Sequence, residues 1–236
     1  MLKSFLLSVP LRLNRPTVFN INKITQEVAV MKKSIFKLLL ISTVITLSLA
    51  ATTTQASSLS QQVTTATVLP QPRTLNAFTL TDSTNQPFTN QNLSGHWTFL
   101  FFGFTQCGSI CPTTMASLKQ IYANLQADKQ KLPQVVFISL DPERDTLPII
   151  HQYVTGFDPS FQGATGSQKE LTLLTQQLSV LYMKVKDPSP TAVATDYQID
   201  HSGALLLINP KGALAAVFSM PHDPSQIAKD YTKIVG

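Results

Sequence analysis

Two short, uninterrupted apolar runs bracket a helical stretch in the middle of this 236-residue chain. They limit its fold more than any other feature. Trp97–Gly103 (WTFLFFG) and Gln134–Leu140 (QVVFISL) are too short for buried helices and read as strands covered on both faces. Between them, Pro112–Ala127 places Met115, Leu118, Ile121, Tyr122 and Leu125 at helical spacing. Thr146–Phe157 and Ser167–Leu178 read as two further helices and Val180–Val185 as a strand. A polar loop beginning at Lys186-Asp187-Pro188-Ser189-Pro190 runs to about Tyr197. Ala204–Ile208 and Leu214–Ser219 read as strands joined by the turn Asn209-Pro210-Lys211-Gly212, and Pro224–Val235 as a closing helix. Ahead of this series, Ala77–Thr81 and Pro87–Thr89 flank the turn-rich Asp82–Asn85 and predict a small N-terminal β-hairpin. Strands alternating with helices predict an α/β fold, a parallel core flanked by helices, with the late hairpin as an antiparallel edge.

The N-terminal quarter stands apart. Residues 31–56 carry Lys32, Lys33 and Lys37, then the apolar Leu38–Ala51, then the small-x-small Thr54-Gln55-Ala56. That order describes a signal peptide. The apolar stretch is shorter than the roughly 20 residues of a spanning helix, and a tilted membrane anchor is the competing reading. Residues 1–30 read as an extension upstream of a true start at Met31. Residues 57–72, rich in Ser, Thr, Gln and Pro, read as a linker, and the domain as 73–236. The formal charge of +5 belongs to the leader, because residues 57–236 hold 11 basic and 12 acidic side chains. Nucleic-acid binding has no electrostatic footing there.

Both cysteines of the chain, Cys107 and Cys111, fall on the loop between the first buried strand and the first helix. In an exported protein such a pair is a disulfide, a redox couple or a metal site. A staple is the weakest of these, since so short a loop constrains the unfolded chain little. The C-terminal edge of a parallel sheet is where α/β sites gather. Cys111 is expected at a helix N-terminus, where the dipole favours a thiolate. Three intervening residues let two sulfurs aim at one point, and soft thiolates select Cu(I) or Zn(II).

The segments GFTQCGSICP at 103–112, SLDPERDT at 139–146 and FDPSFQGATG at 157–166, with Asp200-His201-Ser202 ahead of the late hairpin, resemble the Sco/SenC family of copper-handling proteins. The match covers most of residues 75–235. The resemblance implies a thioredoxin-like fold with a central mixed sheet. It implies a copper ion, Cu(I) or Cu(II), held by Cys107, Cys111 and His201, with Asp200 as the supporting acid beside the histidine. It implies a metallochaperone without turnover chemistry. Copper would go to the copper centre of cytochrome c oxidase subunit II, or to another copper-accepting protein, in the periplasm, from a protein that is soluble or anchored to the inner membrane. Gly108 and Ser109 depart from the proline and acid usual in the family's loop.

His201 stands where thioredoxin-like reductases resemble one another in placing a proline against the thiols, and this chain has no proline between Pro190 and Pro210. That favours a ligand over a dithiol-exchange platform. The competing function is a periplasmic thiol–disulfide oxidoreductase, with Cys107 as nucleophile and Cys111 as resolving thiol. A thiol peroxidase is weaker, as no arginine follows Arg144. His96, His151 and His222 have no ligand-like spacing. Asp141–Thr146 reads mainly as a helix cap, with Arg144 pairing the carboxylates.

Overall fold

The computed structural model describes residues 63–186 and 197–236. The centre is the predicted strand β4 (Thr98–Gly103), every residue of which is buried. It runs parallel to β5 (Gln134–Ser139), which runs parallel to β6 (Gln162–Thr165). The intervening helices are α1 (Ile110–Ala127) and α2 (Leu147–Phe157). α3 (Gln168–Leu178) follows, capped by Ser167, whose hydroxyl accepts from the Glu170 N–H. The hairpin of β2 (Thr79–Asp82) and β3 (Pro87–Thr89) forms as predicted and joins the outer side of β6. β9 (Leu205–Ile208) and β10 (Ala213–Phe218) follow the late apolar runs, and α4 (Pro224–Val235) closes the chain. With β1 (Ala66–Thr74) at one edge, the sheet order is β1-β10-β9-β4-β5-β6-β2-β3. This is the expected thioredoxin-like, mixed central sheet flanked by helices. Aromatic rings fill its core: Phe99 lies 5.6 Å from both Phe218 and Tyr231, and Phe101 lies 6.0 Å from Phe137.

Four expectations need correction. Residues 57–72 were expected as linker, yet β1 (Ala66–Thr74) pairs antiparallel with β10. It is an exposed edge strand, so it shows no apolar alternation, and Pro70 and Pro72 fall where its register shifts between Val68 and Arg73. The late hairpin is therefore interior, with β9 against β4 and β10 covered by β1. β6 escaped notice because Gln-Gly-Ala-Thr has no apolar run. Its Gly163 is demanded by packing, since a Cβ there would lie 2.2 Å from Ile150 Cγ2. Finally, β7 (Tyr182–Lys186) pairs with β8 (Tyr197–His201), a strand outside the predicted set, in a separate two-stranded ribbon. The expected leader, residues 57–62 of the expected linker, and most of the expected 186–197 loop lie outside the described residues.

The start of β1 is held by one buried carboxylate. Asp230 on α4 accepts from the Thr65 N–H and O–H, both at 2.7 Å, and from the Thr64 N–H at 3.0 Å. Burial would raise its pKa, but these hydrogen bonds, and Lys233 nearby, bring it below the ordinary 3.8. A group depressed in the folded state adds stability above its unfolded value and loses it as the pH falls. Asp230→Ala is therefore expected to cost about 2–4 kcal/mol at neutral pH. The wild-type excess over the variant, measured by urea unfolding, should shrink as the pH drops below 3.8.

Candidate metal centre

The site is assembled where β4 ends. Gly103 is the last residue of the strand, and the chain turns through Phe104–Ser109 into α1. The helix starts two residues earlier than predicted, at Ile110, so Cys111 lies within its first turn. No side chain of Ser109 caps it. Instead the Cys111 N–H points at Cys107 Sγ, 3.4 Å away, so a sulfur occupies the place of a capping oxygen. Cys111 is fully buried and Cys107 half-buried. Gly103 makes room for the inner sulfur: a Cβ there would stand 2.8 Å from Cys111 Sγ and 2.9 Å from the Phe137 ring. Gly108 has no such duty, as a Cβ would meet nothing within 4 Å.

His201 ends β8 and reaches the same point from the ribbon. Its Nε2 lies 3.3 Å from Cys111 Sγ, and Cys107 Sγ, Cys111 Sγ and a His201 nitrogen all lie within 4.8 Å of one another. Its Nδ1 is 3.1 Å from the Ser202 carbonyl oxygen. A carbonyl only accepts, so Nδ1 carries the hydrogen and Nε2 presents its lone pair to the sulfurs. Phe101 and Phe104 stand edge-on to the imidazole at 6.1 Å each. Among the described residues this is the one group of Cys, His, Asp or Glu with the spacing to hold a metal ion. Asp200, the expected supporting acid, is exposed and lies across the ribbon from Met183. It acts on His201 through charge, while the Nδ1 hydrogen bond is donated to the Ser202 carbonyl oxygen.

Burial sets the protonation of the group. It pushes the Cys111 thiol well above its ordinary range, and the neighbouring Cys107 and Asp145 add to this against an opposing contact with the Phe104 backbone. The expected helix-dipole stabilisation of a Cys111 thiolate is thus outweighed by desolvation. Burial likewise lowers the His201 pKa, against the opposing effects of the Ser202 carbonyl and Asp200. The result is a neutral thiol and a neutral imidazole in contact. A cation placed between them reverses the balance at sulfur, since a coordinating thiol is deprotonated outright. Two sulfurs and one imidazole make a soft donor set, suited to Cu(I).

The acidic turn after β5 is more than the expected helix cap. Thr146 makes no side-chain cap to α2. Asp145, 1% exposed, turns inward and accepts from the Thr105 N–H at 2.8 Å, the Thr105 hydroxyl at 2.6 Å and the Ser139 hydroxyl at 2.5 Å. It therefore fixes the loop that carries the cysteines. Asp141 pairs with Arg144 and accepts from the Tyr197 hydroxyl at 2.6 Å. The sequence signal for these roles was the acid–base density of Asp141–Asp145 beside a buried strand. The other histidines lie elsewhere: His96 against Gln134, His151 against Ser83, His222 against Thr114.

A thioredoxin-like sheet that presents two cysteines at the end of its central strand to a histidine from an accessory ribbon defines a soft-donor class within that fold. Comparison with known proteins gives the family. The SCO1/SenC family model matches residues 66–236, and the chain belongs to that family. It is 33% identical over 156 residues to Protein SCO1 homolog 1, mitochondrial, of Arabidopsis thaliana, a match covering 66% of this chain and 45% of the relative. It is 34% identical over 152 residues to the human Protein SCO2 homolog, mitochondrial, covering 64% and 56%. The chain thus spans about half the length of these mitochondrial relatives. Its fold is similar to the crystal structure of Arabidopsis thaliana ScoI with copper bound, with a TM-score of 0.63, 32% identity, and coverage of 68% of this chain and 96% of that one. It is similar to yeast Sco1 with copper bound, with a TM-score of 0.62, 27% identity, and coverage of 70% and 89%.

Gly103→Ala tests the packing of the inner sulfur. The added methyl should displace Cys111 Sγ or the Phe137 ring at a cost of about 1–3 kcal/mol. Urea unfolding reads the loss, and a thiol-specific chromogenic reagent should modify Cys111 faster than in the wild type.

Proposed function

We propose that this chain is a metallochaperone that holds one copper ion on Cys107, Cys111 and His201 and passes it to the copper centre of cytochrome c oxidase subunit II, or to another copper-accepting protein, or prepares that centre's cysteines. The observation that carries the reading is the convergence of two Sγ atoms and a histidine nitrogen within 4.8 Å, from loop and ribbon positions 90 residues apart. The copper-bound Arabidopsis and yeast relatives support it. Asp200 contributes negative charge beside the imidazole. The workplace is the periplasm, with residues 31–56 as a cleaved signal or an inner-membrane anchor.

The chain's own groups account for binding and release. Copper is the cargo. The buried Cys111 sulfur and the His201 Nε2 supply a preformed half of the site. Cys107, half-exposed, supplies the sulfur that a recipient's thiolates can approach. Transfer is then ligand exchange at the exposed side, with no net redox change and no covalent intermediate.

A thiol–disulfide oxidoreductase remains the second reading. It is favoured by Cys107, which is accessible and receives the Cys111 N–H at the start of α1. Anaerobic Cu(I) titration against a competing chelator separates the two. The wild type should bind a single ion per chain, His201→Ala should lose at least about tenfold in affinity, or 1.4 kcal/mol, and Cys107→Ser and Cys111→Ser should lose tight binding. Equal affinity in wild type and His201→Ala, beside an insulin-reduction rate that His201→Ala leaves intact, would turn the assignment to the oxidoreductase.

A further inference from the structure

The ribbon that carries His201 is not hydrogen-bonded into the main sheet. β7 and β8 pair only with each other. On the His201 side residues 202–204 lead into β9, which pairs with β4; the Tyr197 end of the ribbon needs another fastening. The turn after β5 supplies it. Tyr197, the first residue of β8, donates its hydroxyl to Asp141 Oδ1 at 2.6 Å. The Arg144 guanidinium lies over the Tyr197 ring, 3.7 Å from its centroid, and Arg144 Nη1 donates to the Tyr197 carbonyl oxygen at 3.0 Å. Arg144 is locked in turn by its ion pair with Asp141. On the other ribbon strand, Lys184 pairs with Glu143 at 2.7 Å and lies 4.6 Å above the Tyr197 ring.

The two halves of the donor group are joined through this one turn. Arg144 also stands 5.7 Å from the Phe104 ring, and Phe104 stands edge-on to His201 at 6.1 Å. Asp145, the next residue, holds the cysteine loop through Thr105. Asp141 and Asp145 are at most 1% exposed, and the Arg144 side chain is 12% exposed. Burying such charges is costly, and packing alone gives no return for it. A rigid, bidentate-capable fork stacked on an aromatic ring is a geometric device that lysine does not reproduce.

We propose that Arg144, acting with Asp141 and Tyr197, is a positioning residue that sets His201 against the two sulfurs. It does not ligate. It fixes the strand from which the ligand projects. The inference rests on the metal-binding reading above.

The test uses Tyr197→Phe, Arg144→Ala and Arg144→Lys, each also in the His201→Ala background. Arg144→Ala is expected to weaken copper affinity about 10–100-fold, as loss of an outer partner of a metal ligand does. Tyr197→Phe, which keeps the ring, should weaken it about threefold to tenfold, the value of one hydrogen bond. Arg144→Lys should not restore wild-type affinity. In the His201→Ala background these substitutions should cause no further loss, because the ligand they position is gone. A metal-free readout accompanies them: the nuclear Overhauser contact between the His201 and Phe104 rings should weaken in each variant. If Arg144→Ala fails to fold, Tyr197→Phe decides alone. Wild-type affinity with an unchanged ring contact, or equal losses with and without His201, would overturn the proposal. Equal copper affinity in wild type and His201→Ala would instead strike the metal reading beneath it, while the ring contact still reports whether the turn positions the histidine.

Discussion

The buried carboxylate of Asp145 ties the end of β5 to the loop after β4, and the geometry of the donor group follows from that tie. Thr105 gives it both of its hydrogens and Ser139 gives a third. A polar side chain in so buried a place is tolerable only because several donors face it. The benefit is a cysteine loop with little freedom at its root. The loop can then be short, glycine-containing and uncapped by its own side chains without losing the aim of its sulfurs.

The donor group spans two assemblies that differ in how they are held. The sulfurs belong to the main sheet, through a fully buried strand and a helix packed on it. The imidazole belongs to a ribbon fastened by side chains: an ion pair, a stacked guanidinium and a phenol hydrogen bond. Backbone ladders are cooperative along a strand, whereas side-chain fastenings open one at a time. The division sets the thiols by backbone pairing and helix packing, and the histidine by side-chain contacts.

The sequence was most informative where burial is two-sided. β4 and β5 are continuous apolar runs, and the structure places them within one residue of the predicted bounds. The period of α1 was visible from Met115 to Leu125, and α2 to α4 lie where helices were expected. The Cys107–Cys111 spacing and the resemblance of four motifs pointed to the same three side chains that the fold brings together. What stayed illegible was pairing that leaves no apolar trace. β1 is an edge with two prolines, β6 is four residues around a glycine, and β8 alternates over only Tyr197 and Ile199. The protonation of Cys111 is hidden from the sequence for a related reason. A helix terminus is visible in sequence, but the depth at which it is buried is not, and at this cysteine depth dominates. Asp145 reads as a cap because capping is local, whereas its partner Thr105 lies 40 residues away.

The unequal exposure of the two sulfurs gives the site a front and a back. Cys111 lies behind the loop with none of its surface open, while Cys107 meets solvent. Any electrophile or peroxide arriving from outside therefore encounters residue 107 first. A sulfenic acid formed there can condense with the neighbouring thiol to a disulfide, releasing water, and a thiol reductant from outside then restores both cysteines.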